Sequence, residues 1–469
     1  MILTLKKTIN KYQTFILWGT LALFAFLAPF AVVSAYQNAF PLATSVLISS
    51  LTVVLLGLVF WGSEHRHSLR HVLKNPSSWV VLALLIPAVL AVMAATYNLT
   101  VMHSAEFIQY YQSSMIRRIL NGTLYMCIIL IFLMLIQQMN TRELQVLGKS
   151  YTAGIYILIV YGVWQFLHFL IGYPAPDFET RSAVHSVSSD VLINFRLTSL
   201  TEEPSFLVPF LIDGLIIGFM IFESKTKYVW QLFLPAVFVL FFSFSVSGYA
   251  NIVIVGLFVL WLFISLKMIP IKKLLITMGA LTVPLIASIV WKWSLFVGLL
   301  MPIIGRFDVL FDVTRHSRLY MLVYPFVWLT DFSWVNTLFG FGPGSYDFLA
   351  KTKFLSYGSR LSSTSNNVFV DLLFEHGLIG GTIFLIVFIL FFFYLYRRRK
   401  LSSYYVYGVI LWFHLGVTSL YRSDFVSPRF WLIVMVTILC AELGRRATLQ
   451  PQWTNETNKL QVRKVGDSS

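Results

Sequence analysis

Twelve apolar runs, most of them close to the length of a membrane span, take up most of this 469-residue chain. A helix needs about 20 apolar residues to cross a ~30 Å hydrocarbon core. The runs lie near 14–35, 42–62, 78–97, 119–137, 151–171, 205–222, 229–247, 249–266, 274–291, 368–396, 403–421 and 428–444. In lipid every backbone polar group must be satisfied within the protein, so such runs become helices. Only 12% of residues are charged and 58% are hydrophobic, against roughly a quarter charged in a soluble globule. The expected fold is an all-α polytopic membrane protein with about 12 transmembrane helices.

The net charge of +15 does not point to nucleic acid, because of where the charge sits. With the N-terminus inside, 22 of the 35 basic residues fall in inside segments, and every short inside loop is basic. That is the positive-inside pattern, and an even number of spans puts both termini in the cytoplasm. The remaining 13 basic residues fall outside, seven of them in one long loop. Lys6, Lys7 and Lys11 precede a first apolar run of about 20 residues. This is longer than a signal-peptide core, so an uncleaved first helix is expected. Cys127 and Cys440 lie in apolar runs and offer neither a disulfide framework nor metal spacing. His65, His67 and His71 stand in a basic loop that disfavours a cation, so no metal and no cofactor are expected. Residues 1–447 form the transmembrane domain, and 448–469 a polar, disordered cytoplasmic tail.

Two long extracytoplasmic loops interrupt this plan, about 172–204 and 292–365. The second contains a semi-apolar stretch, Tyr320 to Trp334, expected to be an amphipathic helix at the interface. Loops of this length are usually functional or disordered, and their aromatics and helix signals argue against disorder. Candidate chemistry concentrates here. Arg318, in Arg315-His316-Ser-Arg-Leu-Tyr320, carries a planar fork matched to phosphate oxygens. Gly340-Phe-Gly342-Pro-Gly344-Ser-Tyr346 is a turn-rich block that lacks the lysine of a nucleotide P-loop. Asn366 and Asn367 stand where the loop returns to the membrane, able to cap the next helix or to bond a sugar. Glu375 lies eight residues beyond Asn367, on the same helix face, at a depth where ionisable groups are costly and usually functional. Arg196 and Glu203 end the first loop, with Glu203 just ahead of the Pro204 that opens the next helix.

Taken in order, these blocks resemble the bacterial O-antigen polymerase and ligase superfamily (the Wzy and WaaL type). The stretch Arg196 to Ser205 is similar to that family's arginine–Glu-Pro-Ser segment. Arg318-Leu-Tyr with the glycine block is similar to its loop arginine. Asn366-Asn367 through Glu375, Gly377 and Gly380 is similar to its His-Asn…Glu-x-Gly-x-x-Gly signature. The likeness covers about residues 190–400. Where the ligases have histidine this chain has Asn366, and an amide cannot serve as a general base, which favours a polymerase over a ligase.

The resemblance implies an enzyme of the bacterial inner membrane that joins undecaprenyl-diphosphate-linked oligosaccharide units into O-antigen, capsule or exopolysaccharide at the outer face. A chain-length regulator membrane protein would be a further partner. Arg318 and Arg196 would stabilise the leaving diphosphate, with Arg315 beside them. The proton acceptor stays open among Glu203, Glu375 and His316, in that order of preference. Tyr320, Phe341 and Tyr346 would pack on sugar faces. The alternatives are an O-antigen ligase and a lipid-linked oligosaccharide flippase. Polarity concentrated in two outside loops favours the enzyme over the flippase.

Overall fold

The computed structural model describes residues 2–30, 76–101, 104–136, 139–176, 195–222, 226–268, 318–346 and 365–466, with a few positions in 51–55 and 290–297. Among them the chain is all-helical, with no strand. In chain order the helices are α1 (Ile2–Leu27), α2 (Pro76–Val101), α3 (Ala105–Leu135), α4 (Thr141–Ile171), α5 (Pro204–Phe222), α6 (Thr226–Phe241), α7 (Val246–Ser265), α8 (Arg318–Asp331), α9 (Trp334–Phe339), α10 (Val368–Arg398), α11 (Ser403–Ser419) and α12 (Pro428–Gly466). Six of them, α2, α3, α4, α5, α7 and α10, are long and apolar enough to cross a membrane. Two shorter apolar segments are Phe15–Phe30 and Lys227–Phe241. The expected span 274–291 lies outside the described residues, as does nearly all of 42–62. The described part therefore supports a helical membrane protein rather than a count of twelve spans.

Helix α12 combines deep burial with charged residues. Every residue from 428 to 444 is buried, yet this stretch carries Arg429, Glu442 and Thr437. The helix sits inside the bundle against α11, α1, α3 and α4, so protein rather than lipid solvates it. Burial of this kind lets a helix hold polar groups that a lipid-facing helix could not. Beyond Gly444 the backbone stays helical to Gly466. A helix already nucleated in the bundle extends cheaply through Glu- and Lys-containing sequence.

Helix α10 joins two parts of the molecule. It packs on α2 and α11, and α8 and α9 also contact it. Helix α8 occupies the stretch expected to be amphipathic. Met321, Trp328 and Leu329 are buried, whereas Val323, Phe326 and Val327 are about half exposed. Its buried face closes an aromatic cluster of Trp328, Phe341, Tyr346 and Phe374, in which Phe341 stacks on Phe374 at 5.0 Å between ring centroids.

The junction depends on a break in α10. Gly377 has φ 68° and ψ −177°, outside the helical region. The break frees carbonyls of the preceding turn, and the glycine block after α9 takes them. Phe341 N–H donates to Phe374 O at 3.2 Å and Gly342 N–H to Glu375 O at 3.0 Å. The two backbones touch. A Cβ on Gly340 would lie 2.3 Å from Glu375 O, and one on Gly377 would lie 2.3 Å from Leu338 O. Both residues also have positive φ, which an L side chain adopts only at a cost.

Gly340→Ala or Gly377→Ala should each destabilise the detergent-solubilised protein by ~2 kcal/mol or more. Gly256→Ala, where a Cβ meets nothing within 4 Å, should be neutral or stabilising. Thermal unfolding followed by size-exclusion chromatography measures this. Equal behaviour of all three variants would contradict the backbone contact.

Candidate functional site

Three of the sequence blocks converge on the first half of α10. The chain enters this helix through Asn366, at φ 59°. Asn367 is the N-cap, with its Oδ1 accepting from Val370 N–H at 3.1 Å. Its Nδ2 donates to Leu420 O at 2.9 Å, in the short loop 420–427 that joins α11 to α12. Both ends of the Asn367 amide are thus engaged within the protein. One turn on, Asp371 accepts from Ser365 N–H at 2.9 Å and from the hydroxyl of Ser423 in the same 420–427 loop.

A further turn brings Glu375, which is 3% exposed. Arg118 of α3 meets it, with Nη2 3.4 Å from Oε1. Arg118 follows a π-helical turn, Tyr111–Met115, a local widening often found at functional sites. Just ahead of that turn, Tyr110 donates to Pro343 O at 3.1 Å. A Cβ on Gly342 would lie 2.5 Å from Ala95 Cβ, and one on Gly344 would be 3.6 Å from Arg118 Cβ. Gly342 and Gly344 therefore let the block lie against α2 and α3. Tyr346 and Phe341 are each 1% exposed inside the aromatic cluster, so neither ring offers a face to a sugar. Their rings pack α8 and the glycine block onto α10.

The 196–205 block is folded tightly on α4. Gln165 Oε1 accepts from Thr198 N–H at 3.0 Å and from Ser199 N–H at 2.9 Å. Ser199, at φ 52°, donates its hydroxyl to Leu158 O at 2.6 Å. Arg196 is buried, and Leu197 N–H donates to Phe242 O at 3.0 Å. Glu203 leads into α5 partly exposed, and its Oε2 accepts from Ser205 Oγ at 3.1 Å. A carboxylate here suits the helix N-terminal dipole.

The 420–427 loop ties this entrance to α10. Arg422 Nη1 donates to Phe206 O at 3.0 Å and its guanidinium lies 4.5 Å from the Phe206 ring centroid. The loop therefore touches the α5 entrance through Arg422 and the α10 entrance through Leu420 and Ser423.

Below the loop is a buried charge network that the sequence reading missed. Arg429 Nε lies 2.5 Å from Asp213 Oδ2, and its Nη1 lies 2.6 Å from Asp424 Oδ2. His414 Nδ1 is 2.7 Å from Asp213 Oδ1. Asn251 Nδ2 lies 3.2 Å from His414 Nε2 and donates to the Tyr421 hydroxyl at 2.8 Å. Tyr151 donates to Asp213 Oδ2 at 3.3 Å. Arg429, Asp213 and His414 have no exposed side-chain surface. The signal was available, since Asp213 is an acid inside an apolar run and such residues rarely sit there without a role.

Arg118, Arg422 and Arg429 carried a second signal. Besides the seven cations of the long loop, the expected outer side holds Arg117, Arg118, Arg181, Arg196, Arg422 and Arg429. They run against the positive-inside tendency. Arg196, Arg422 and Arg429 are buried, and Arg118 is partly buried against Glu375. Arg318 and Tyr320 begin α8, but their side chains lie outside the description. Arg315, His316 and the histidines at 65, 67 and 71 are outside the described residues. Among the described residues no group of three His, Cys, Asp or Glu side chains could hold a metal. No protein-family model and no curated protein matches the chain.

Removing one partner of a buried pair leaves the other charge uncompensated, at a cost of about 3–5 kcal/mol. Asp213→Asn and Arg429→Gln should each lower stability by that order, and the double variant Asp213→Leu/Arg429→Met should recover part of the loss. Thermal unfolding in detergent reads this; silent single variants would contradict a tightly coupled network.

Proposed function

We propose that this chain is an integral membrane glycan polymerase. It joins undecaprenyl-diphosphate-linked oligosaccharide units at the outer face of a bacterial plasma membrane. The observation that carries this reading is the convergence of arginines and carboxylates on one end of the bundle. There Arg118 meets Glu375, and Arg422 reaches the α5 entrance at Phe206 O. These cations stand on the side where the charge pattern would otherwise place few of them.

The chemistry is a transfer at the anomeric carbon of the donor's first sugar. The bond from that carbon to the diphosphate oxygen breaks, and the diphosphate leaves with the electron pair. A bond forms from the acceptor hydroxyl oxygen to the same carbon, and the hydroxyl proton passes to a carboxylate. Arginines at the outer side, Arg318 first among them, stabilise charge developing on the leaving diphosphate. Glu203 is the better base. It is partly exposed at a helix start, whereas Glu375 is buried and held by Arg118. Glu375 is assigned to positioning α3 and the glycine block.

Glu203→Gln preserves shape and removes the base. In a deletion strain it should reduce long-chain polymer at least ~100-fold at unchanged protein abundance, with Glu202→Gln mild, as judged by surface polysaccharide on a gel. Single capped units should remain. Loss of all capping would instead indicate a ligase, and intracellular accumulation a flippase. Normal polymer in Glu203→Gln would rule out this carboxylate as the base.

A further inference from the structure

At the opposite end of α10 from Glu375, about 36 Å along the helix, lies a cavity of ≈ 600 Å³ between the ends of α7, α10 and α11. Lys267, Arg399 and Lys400 line it, and none of its described lining residues is acidic. The first turn of α11 faces it through Ser402 and Ser403, adding the partial positive charge of a helix N-terminus. Arg399 is anchored by stacking on Tyr396, 3.7 Å from the ring centroid, and by donation from Nη1 to Tyr396 O at 2.9 Å. Its Nε is buried and meets no hydrogen-bond partner among the described residues.

Lys267 supplies a second observation. Helix α7 ends with Lys267 N–H donating to Ile264 O at 2.9 Å and Met268 N–H to Phe263 O at 3.0 Å. This is the Schellman arrangement, whose left-handed position is usually glycine. Here Lys267 occupies it at φ 59°. A lysine in that conformation costs stability that a glycine would not. The turn places a third cation in the cavity wall.

We propose that this cavity binds an anionic phosphate group, and that its ligand is the phosphodiester headgroup of an anionic lipid in the leaflet on the expected inside. Three cations and a helix N-terminus suit a phosphate. The apolar rim suits acyl chains, since Met268 is 64% and Leu401 60% exposed beside the cations. The site is separate from the proposed polymerase centre and does not depend on that reading.

The test uses full-length protein in neutral detergent, with thermal unfolding followed during titration. The probes are phosphatidylglycerol, zwitterionic phosphatidylcholine and inorganic phosphate. Phosphatidylglycerol should raise the unfolding midpoint more than phosphatidylcholine. Each cation removed should weaken its half-saturating concentration about fivefold, so Arg399→Gln/Lys400→Gln should weaken it about 25-fold. Lys267→Gly should be more stable than wild type without lipid yet respond about fivefold more weakly, which separates binding from folding if the double variant is unstable. A response to inorganic phosphate as strong as to the lipid would keep the phosphate site and identify a soluble ligand. Equal responses to both lipids, or an unchanged phosphatidylglycerol response in Lys267→Gly, would overturn the proposal.

Discussion

The contact between two stretches of bare backbone at Gly340 and Gly377 organises one end of this protein. Neither residue can carry a side chain there, because each Cβ would fall on a carbonyl of the other segment. The broken turn of α10 frees backbone carbonyls, and a buried carbonyl left without a partner is costly. Phe341 and Gly342 N–H take the freed carbonyls of Phe374 and Glu375. One contact therefore fixes three things: where α10 breaks, where the amphipathic helix α8 docks, and where Glu375 stands relative to Arg118.

The second constraint is charge in a place that disfavours it. Arg429 and Asp213 are wholly buried and paired, with Asp424, His414 and Tyr151 completing the shell. A buried ion pair adds little net stability compared with apolar packing. What it does here is fix geometry. The network sits under the 420–427 loop and restrains it, and the loop in turn carries Arg422 to Phe206 and Ser423 to Asp371. Arg422 and Arg429, both paired with Asp424, thus belong to the loop scaffold that joins the entrances of α5 and α10.

The helices were legible in the sequence because hydropathy is a local property. The expected runs near 78–97, 205–222 and 403–421 correspond to α2, α5 and α11, and the stretch Tyr320 to Trp334 to α8. Asn367 was legible as a cap, and Glu375 as a costly buried acid. What could not be read is pairing. Arg118 lies 257 residues from Glu375, and Arg429 lies 216 from Asp213. Nothing local distinguishes an arginine that solvates a loop from one that enters the bundle. Tyr346 and Phe341 show the same limit for aromatics. A ring beside a glycine turn can face a sugar or a core, and the helix that arrives over it decides.

The central claim is that the 420–427 loop holds the α5 and α10 entrances together in the membrane-embedded protein. Site-directed crosslinking tests it most directly. Cysteines at Asp371 and Ser423, in a background lacking Cys127 and Cys440, should form a disulfide under mild oxidation in membranes, closing a loop detectable by protease cleavage between them. A control pair at Asp371 and Ser265 should not, because α7 ends near Arg399, at the far end of α10. Ready crosslinking of the first pair alone is the predicted result. Failure of that pair in protein that is inserted and folded, or equal crosslinking of both, would contradict the account.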